Sequence, residues 1–245
     1  MKSPYPYPHE RLLAPIEETR LEWKGENTPF QSRHDDVYFT LDSGFEETEH
    51  IFIEGNDLPS RFASWTEKTK PFVVGELGFG TGLNVLVTID AYLKIDEESK
   101  INYFSVEKYP VLLKEAAELS YSELFSNHNV KDLSLKIHDL EWEVANELTP
   151  GFSLTKIEKD FFDLKSTELP PIDLVYFDCF GARVQPDLWE MELLEIVADK
   201  MNSGGLLTTY SSKGSVRRNL IELGFEVEKK QGPPGKREMM IAWKK

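Results

Sequence analysis

One turn and three carboxylates in this sequence have the types and spacing to hold a ligand built on a nucleoside. Glu76-Leu77-Gly78-Phe79-Gly80-Thr81-Gly82 sets three glycines at alternate positions directly after the apolar run Phe72-Val73-Val74. Glycine admits positive φ and lets a ligand approach the backbone with no Cβ in the way. The spacing is not the dinucleotide fingerprint G-x-G-x-x-G, because Leu83 stands where the third glycine belongs, nor a P-loop, which needs Gly-Lys-Ser/Thr. Glu107 ends a second apolar run, 25 residues past Gly82, near where an acidic group accepts both hydroxyls of a ribose. Asp160 follows a third run with Phe161 beside it, offering an acceptor for an adenine amino group and an aromatic cover for the ring. Asp178 ends a fourth. A single acid at a strand end is usually just solvated; three after successive strands, behind a glycine turn, point to a site.

Ligands of an open α/β sheet bind beyond the carboxyl ends of its strands, so these residues need strands to carry them. Phe72–Leu77, Ile101–Val106, Leu154–Glu158, Ile172–Phe177 and Leu206–Tyr210 read as strands. Between them Leu83–Leu93, Val111–Leu119 and Trp189–Met201 read as helices, the last stopped by Gly204-Gly205. Val216–Leu223 is a further helix with Gly224 as its C-cap, and Phe225–Lys230 and Glu238–Trp243 form a hairpin around Gly232-Pro233-Pro234-Gly235. This order predicts a mostly parallel sheet with helices on both faces and an antiparallel C-terminal strand. Residues 120–150 carry few signals and read as helix and loop. Before Pro71 the pattern differs: Asp36–Leu41 and Glu49–Glu54 are rich in β-branched and aromatic residues and are followed by turn formers. They predict a small N-terminal β extension, residues 1–70, ahead of the α/β domain, residues 71–245.

Composition narrows the function. The 245 residues are 40% hydrophobic and 12% aromatic, which excludes a disordered or low-complexity chain. One cysteine, Cys179, builds neither a disulfide framework nor a cysteine zinc site, and the five histidines show no metal-ligand spacing. With no apolar run long enough for a membrane helix and none at the start resembling a signal sequence, the expected location is cytoplasmic. The formal charge is −15, yet the stretch from Lys213 to Lys245 carries +5 and the first 212 residues −20. Such asymmetry lets one face meet an anion while the rest repels one.

The glycine turn has the form E-x-G-x-G-x-G of Rossmann-like methyltransferases that bind S-adenosylmethionine. Four segments carry a closer likeness. They are Asp35–Phe39 with Gly44-Phe45-Glu46-Glu47 and Glu54-Gly55-Asn56; Glu76–Asn84; Phe177-Asp178 and Phe180 with Pro186–Trp189; and Val216-Arg217-Arg218, Gly224-Phe225 and Gly235–Met239. From about residue 30 to 243 the chain resembles the methyltransferase domain of MnmC and its stand-alone form MnmD. The resemblance implies S-adenosylmethionine as cofactor, with no metal and no flavin. It implies methylation of the amine of 5-aminomethyl-(2-thio)uridine at the wobble position, with the tRNA anticodon arm as partner, no membrane, and room for contact with the enzyme that makes the precursor. The chain departs from the family's Asp-Gly-Phe-Ala-Pro run, reading Asp178-Cys179-Phe180-Gly181-Ala182. Asp178 and Phe180 are kept; the proline that shapes the loop is not.

In this reading Asp178 orients the amine and accepts its proton, and Phe180 lines the uracil pocket, since unstacked bases are read on aromatic faces. Candidate cofactor residues are Glu76, Gly78, Gly80, Gly82, Asn84, Glu107, Lys108, Asp160, Phe161 and Asp178. Candidate substrate residues are Tyr38, Phe180, Tyr210, Lys213, Arg217, Arg218, Lys236 and Arg237, the basic ones for tRNA phosphates. Cys179 is read as packing. The competing readings are methylation of a small-molecule or protein amine, an aminopropyl transfer of the spermidine synthase kind, and a non-catalytic binding module.

Overall fold

The structure, a computed structural model, describes residues 21–24, 28–31, 36–38, 41–65, 70–95 and 99–245. Its first part is a three-stranded antiparallel sheet of β1 (Glu22–Lys24), β2 (Thr28–Gln31) and β3 (Asp36–Val37). A helix, α1 (Leu41–Thr48), runs directly into a π-helical stretch, Glu49–Glu54, and α2 (Leu58–Ser64) follows. Of the two N-terminal segments read as strands from the sequence, only Asp36–Val37 is one, paired with β2. Leu41 starts a helix, Phe39 and Thr40 lie outside the described residues, and Glu49–Glu54 is not a strand. Ile51, Phe52 and Ile53 are all buried, and a short apolar run of this kind suits a helix as well as a strand covered on both faces.

The rest is an eight-stranded sheet. In chain order it comprises β4 (Phe72–Leu77), α3 (Leu83–Leu93), β5 (Ile101–Glu107), α4 (Leu113–Ala116) and α5 (His128–Asp139). Then come β6 (Ala145–Thr149), β7 (Phe152–Glu158), β8 (Ile172–Phe177), α6 (Met191–Lys200), β9 (Met201–Thr209), α7 (Gly214–Glu222), β10 (Phe225–Gln231) and β11 (Glu238–Lys244). The strand order is β10-β11-β9-β8-β4-β5-β7-β6. The central five strands are parallel, while β11, β10 and β6 run antiparallel to their neighbours.

Several boundaries differ from the sequence reading. Only Leu113–Ala116 of the expected helix Val111–Leu119 is α-helical. Trp189 belongs to a 3₁₀ turn, Pro186–Trp189, and Met201 already starts β9. Gly204-Gly205 therefore sits inside β9, where the register with β8 shifts, rather than ending a helix. Residues 120–150 hold a full helix, α5, and an edge strand, β6.

Pleating divides the core into two layers. Phe72, Val74, Tyr103, Phe152 and Tyr176 face one cluster with Ile51, Phe52, Phe62 and Leu86. Val73, Leu77, Val106, Ile157, Val175 and Phe177 face the other with Trp189, Leu193, Val197 and Leu220. All six residues of β4 are buried, as a parallel strand covered on both faces requires. The chain leaves β4 for β5 and β7 on one side and returns on the other side as β8 and β9. That reversal opens a crevice at the carboxyl ends of β4 and β8, the topological switch point of a doubly wound sheet.

Candidate active site

The glycine turn and Asp178 stand on either side of that crevice. Leu77 and Phe177 are register partners, so Gly78 and Asp178 leave the sheet at the same level, and the Asp178 amide donates to the Leu77 carbonyl at 3.2 Å. Gly78, Gly80 and Gly82 all have positive φ, at 101°, 50° and 76°. A Cβ on Gly78 would also meet the Asp178 carbonyl oxygen at 2.8 Å, so at this position conformation and space both exclude a side chain.

A chain of polar groups ties the turn to the acid. Glu76 is 1% exposed. Its Oε1 accepts from Asn84 Nδ2 at 2.9 Å, and its Oε2 accepts from the Ser105 hydroxyl. The same Asn84 Nδ2 donates its second hydrogen to Asp178 Oδ2 at 2.8 Å. Burial pushes the Glu76 carboxyl up to about 8, against the pull of its Ser105 and Asn84 hydrogen bonds. At neutral pH it is therefore largely protonated, and the crevice holds one carboxylate charge here instead of two. Burial also pushes Asp178 up, to about 6. The Asn84 hydrogen bond and the Lys236 ammonium oppose that rise, and Glu47 adds to it. Asp178 is thus ionised at neutral pH but basic enough to take a proton.

On the cofactor side, Glu107 is fastened to the turn. Its Oε2 accepts from the Gly80 amide at 3.0 Å and its Oε1 from the Tyr109 amide at 2.8 Å. Lys108 Nζ pairs with Asp160 Oδ2 at 2.8 Å, while Asp160 Oδ1 caps the following 3₁₀ turn through the Phe162 amide. Phe161, in that turn, is half-buried against the second core layer. These residues fit a nucleoside whose ribose meets Glu107 and whose base lies toward Asp160, with the bare backbone of the turn between.

The back of the turn is clamped. Tyr121 Oη donates to Thr81 Oγ1 at 2.7 Å, and His138 Nε2 meets the Thr81 carbonyl at 3.1 Å. Burial drives His138 down to about 4, so it is neutral and donates. Lys156, fully buried in the middle of β7, donates to the His138 carbonyl at 3.0 Å and sits 4.6 Å from the Trp142 ring centroid. Neither Tyr121, His138 nor Lys156 stood out in the sequence; a lysine within a strand and a lone histidine are unremarkable there.

The acceptor side of the crevice is aromatic. The Tyr38 and Phe180 rings lie 5.2 Å apart, and the Tyr38 ring also borders Gly80. Tyr210 Oη donates to the Cys179 carbonyl at 2.8 Å. The loop lacking the family's proline closes by other means: the Val184 and Gln185 amides both donate to the Gly181 carbonyl, and Trp189 Nε1 donates to the Phe180 carbonyl. Cys179 is buried, and burial raises its thiol well above the usual range, which suits packing and not nucleophilic attack.

The basic residues separate into two groups. Lys213, Arg217 and Arg218 are exposed at the start of α7, and Arg237 is exposed in the β10–β11 loop. Lys236 instead forms an ion pair with Glu47 of α1 and lies 4.6 Å from the Tyr210 ring centroid. Glu47 lay within a segment that carried the resemblance, but nothing in the sequence gave it a role. Among the described residues no group of three His, Cys, Asp or Glu side chains is placed to hold a metal ion, and no helix is long and apolar enough to cross a membrane.

Comparison with known proteins places this geometry. The tRNA 5-methylaminomethyl-2-thiouridine biosynthesis bifunctional protein MnmC of Leptospira borgpetersenii is 34% identical over 232 residues, 90% of this chain and 34% of that protein. Its counterpart in Aeromonas salmonicida is 31% identical over 236 residues, 92% of this chain and 35% of that protein. The chain thus spans about a third of the length of the curated relatives it matches. The crystal structure of MNMC2 from Aquifex aeolicus shares the fold, with a TM-score of 0.71 at 20% identity over 94% of this chain and 72% of that one. Residues 106–245 match the family profile described as S-adenosyl-L-methionine-dependent methyltransferase. That match takes in more than half of the chain, from the end of β5 onward: the chain belongs to the S-adenosyl-L-methionine-dependent methyltransferases.

Proposed function

We propose that the chain methylates the amine of 5-aminomethyl-(2-thio)uridine at the wobble position of tRNA, giving 5-methylaminomethyl-(2-thio)uridine, in the cytoplasm. The observation that carries this reading is the placement of Asp178: a carboxylate fixed by Asn84 beside the glycine turn, two residues before Phe180, whose ring packs against Tyr38. The names of the relatives, each a protein of 5-methylaminomethyl-2-thiouridine biosynthesis, support the choice of acceptor. Residues 71–245 form the catalytic domain, and residues 1–70 are an extension that brings Tyr38 and Glu47 to its acceptor side.

S-adenosylmethionine, when bound, supplies a sulfonium methyl that leaves as the C–S electron pair returns to sulfur. Glu107 and the turn from Gly78 to Gly82 would hold it, with Asp160 and Phe161 toward its base. An alkylammonium has no lone pair, so the substrate must first lose a proton. Asp178, through the oxygen other than the one held by Asn84, accepts that proton and orients the free amine, whose lone pair then forms the N–C bond. The product is a secondary ammonium. Tyr38 and Phe180 flank the uracil and exclude water, and Lys213, Arg217, Arg218 and Arg237 meet phosphates of the anticodon arm.

The test mixes the protein and labelled S-adenosylmethionine with tRNA from cells that accumulate the aminomethyl precursor, followed by nucleoside mass spectrometry. Label in 5-methylaminomethyl uridine is the expected result. Tight cofactor binding with no transfer to this tRNA would overturn the assignment of the acceptor.

A further inference from the structure

The Glu47–Lys236 pair joins residues 189 positions apart across the mouth of the crevice. Lys236 is exposed and Glu47 is half-buried. A pair this accessible contributes about 1 kcal/mol or less, so stability alone gives little reason for it. Lys236 is held on a second side by the Tyr210 ring, and Tyr210 is itself bonded to the Cys179 carbonyl, next to Asp178. A lysine meant for RNA phosphate would have to leave both contacts.

We propose that Lys236 belongs to the transfer site and not to the RNA-contacting surface: it is a positioning residue that presents its ammonium to the Asp178 carboxylate, and Glu47 holds it there. The inference rests on the proposed amine methylation, since it gives Asp178 a proton to accept. The groups facing Asp178 are Glu76 of β4, Asn84 of α3, Tyr103 of β5, Glu47 of α1, Lys236 of the β10–β11 loop and the adjoining Cys179. Glu76 is largely protonated at neutral pH, and Asn84, Tyr103 and Cys179 are uncharged. Lys236 and Glu47 are then the opposing ionic influences, and the pull of Lys236 is the larger. It keeps the carboxylate ionised in a buried setting that would otherwise favour the acid.

The experiment titrates Asp178 in the full chain by NMR with carboxyl-labelled aspartate, and follows the pH dependence of methyl transfer in parallel. In Lys236→Met the Asp178 midpoint rises by about one pH unit, and the acidic limb of the rate moves with it. Lys236→Arg keeps the wild-type midpoint. In a Glu47→Gln background, where Lys236 is no longer held, adding Lys236→Met produces a smaller rise. Lys236→Met leaves the salt dependence of tRNA binding unchanged. An unmoved Asp178 midpoint in Lys236→Met overturns the role of Lys236; an undiminished rise in the Glu47→Gln background overturns that of Glu47. A loss of about one in the logarithmic salt slope returns Lys236 to the RNA surface. Absence of transfer by the wild type would count against the acceptor assignment, while the NMR titration still decides the role of the pair.

Discussion

The two halves of the crevice are built differently. The cofactor half comes from β4, β5 and β7 and the turns that follow them, so Glu107 is bonded to the glycine turn itself and Asp160 caps the next turn. The acceptor half is assembled from residues 38, 47, 180, 210 and 236, drawn from α1, the stretch before it, and three separate loops or strand ends. The first half is rigid because the sheet dictates it. The second is held by side-chain contacts between distant segments.

Substitutions should separate the halves cleanly. Asp178→Ala is expected to reduce methyl transfer by about a thousandfold, within the range for general acid–base groups, while S-adenosylmethionine affinity by calorimetry changes far less. Equal losses in both would erase the division. Glu107→Ala acts the other way, weakening cofactor affinity by about 10- to 100-fold through lost charge-assisted hydrogen bonds; turnover at saturating cofactor should suffer much less.

Glu76 tests whether the hub between the halves is protonated. Its folded-state value is raised from 4.5 to about 8, so between those pH values the folded chain binds more protons than the unfolded one. Stability from this group is present at low pH and lost as pH rises through that window. Glu76→Gln removes the dependence, and its thermal midpoint relative to wild type should climb from about pH 4.5 to about pH 8. A constant difference would mean that Glu76 is ionised throughout. The smallest effect is expected on the exposed helix: Arg217→Ala and Arg218→Ala should each lower the logarithmic salt slope of tRNA binding by about one, with cofactor affinity unchanged.

The strand ends of β4, β5, β7 and β8 were legible because a strand followed by a glycine turn or an acid is a local pattern. The acceptor wall was legible only in part. Of the residues expected at the substrate, Tyr38 and Phe180 pack against each other and Tyr210 bonds the carbonyl of Cys179, next to Phe180, but nothing local pairs Glu47 with Lys236 across 189 positions. Lys236 was grouped with the phosphate-binding residues because charge alone cannot tell a free cation from a paired one. The misread elements have local causes. Three consecutive apolar residues, Ile51-Phe52-Ile53, suit a buried strand or a helix equally, and β6 is a largely exposed edge strand with no apolar alternation to reveal it.

The clamp behind the glycine turn has a thermodynamic consequence. Three glycines in seven residues would leave a free turn with many conformations, each residue worth about 1–2 kcal/mol of entropy on ordering. Tyr121 and His138 hold Thr81 from behind, and Lys156 holds the His138 carbonyl in turn, so that ordering falls on folding and not on cofactor capture. If the turn holds the cofactor as proposed, loosening Tyr121 or His138 is expected to weaken binding through entropy even with the turn's own residues unchanged.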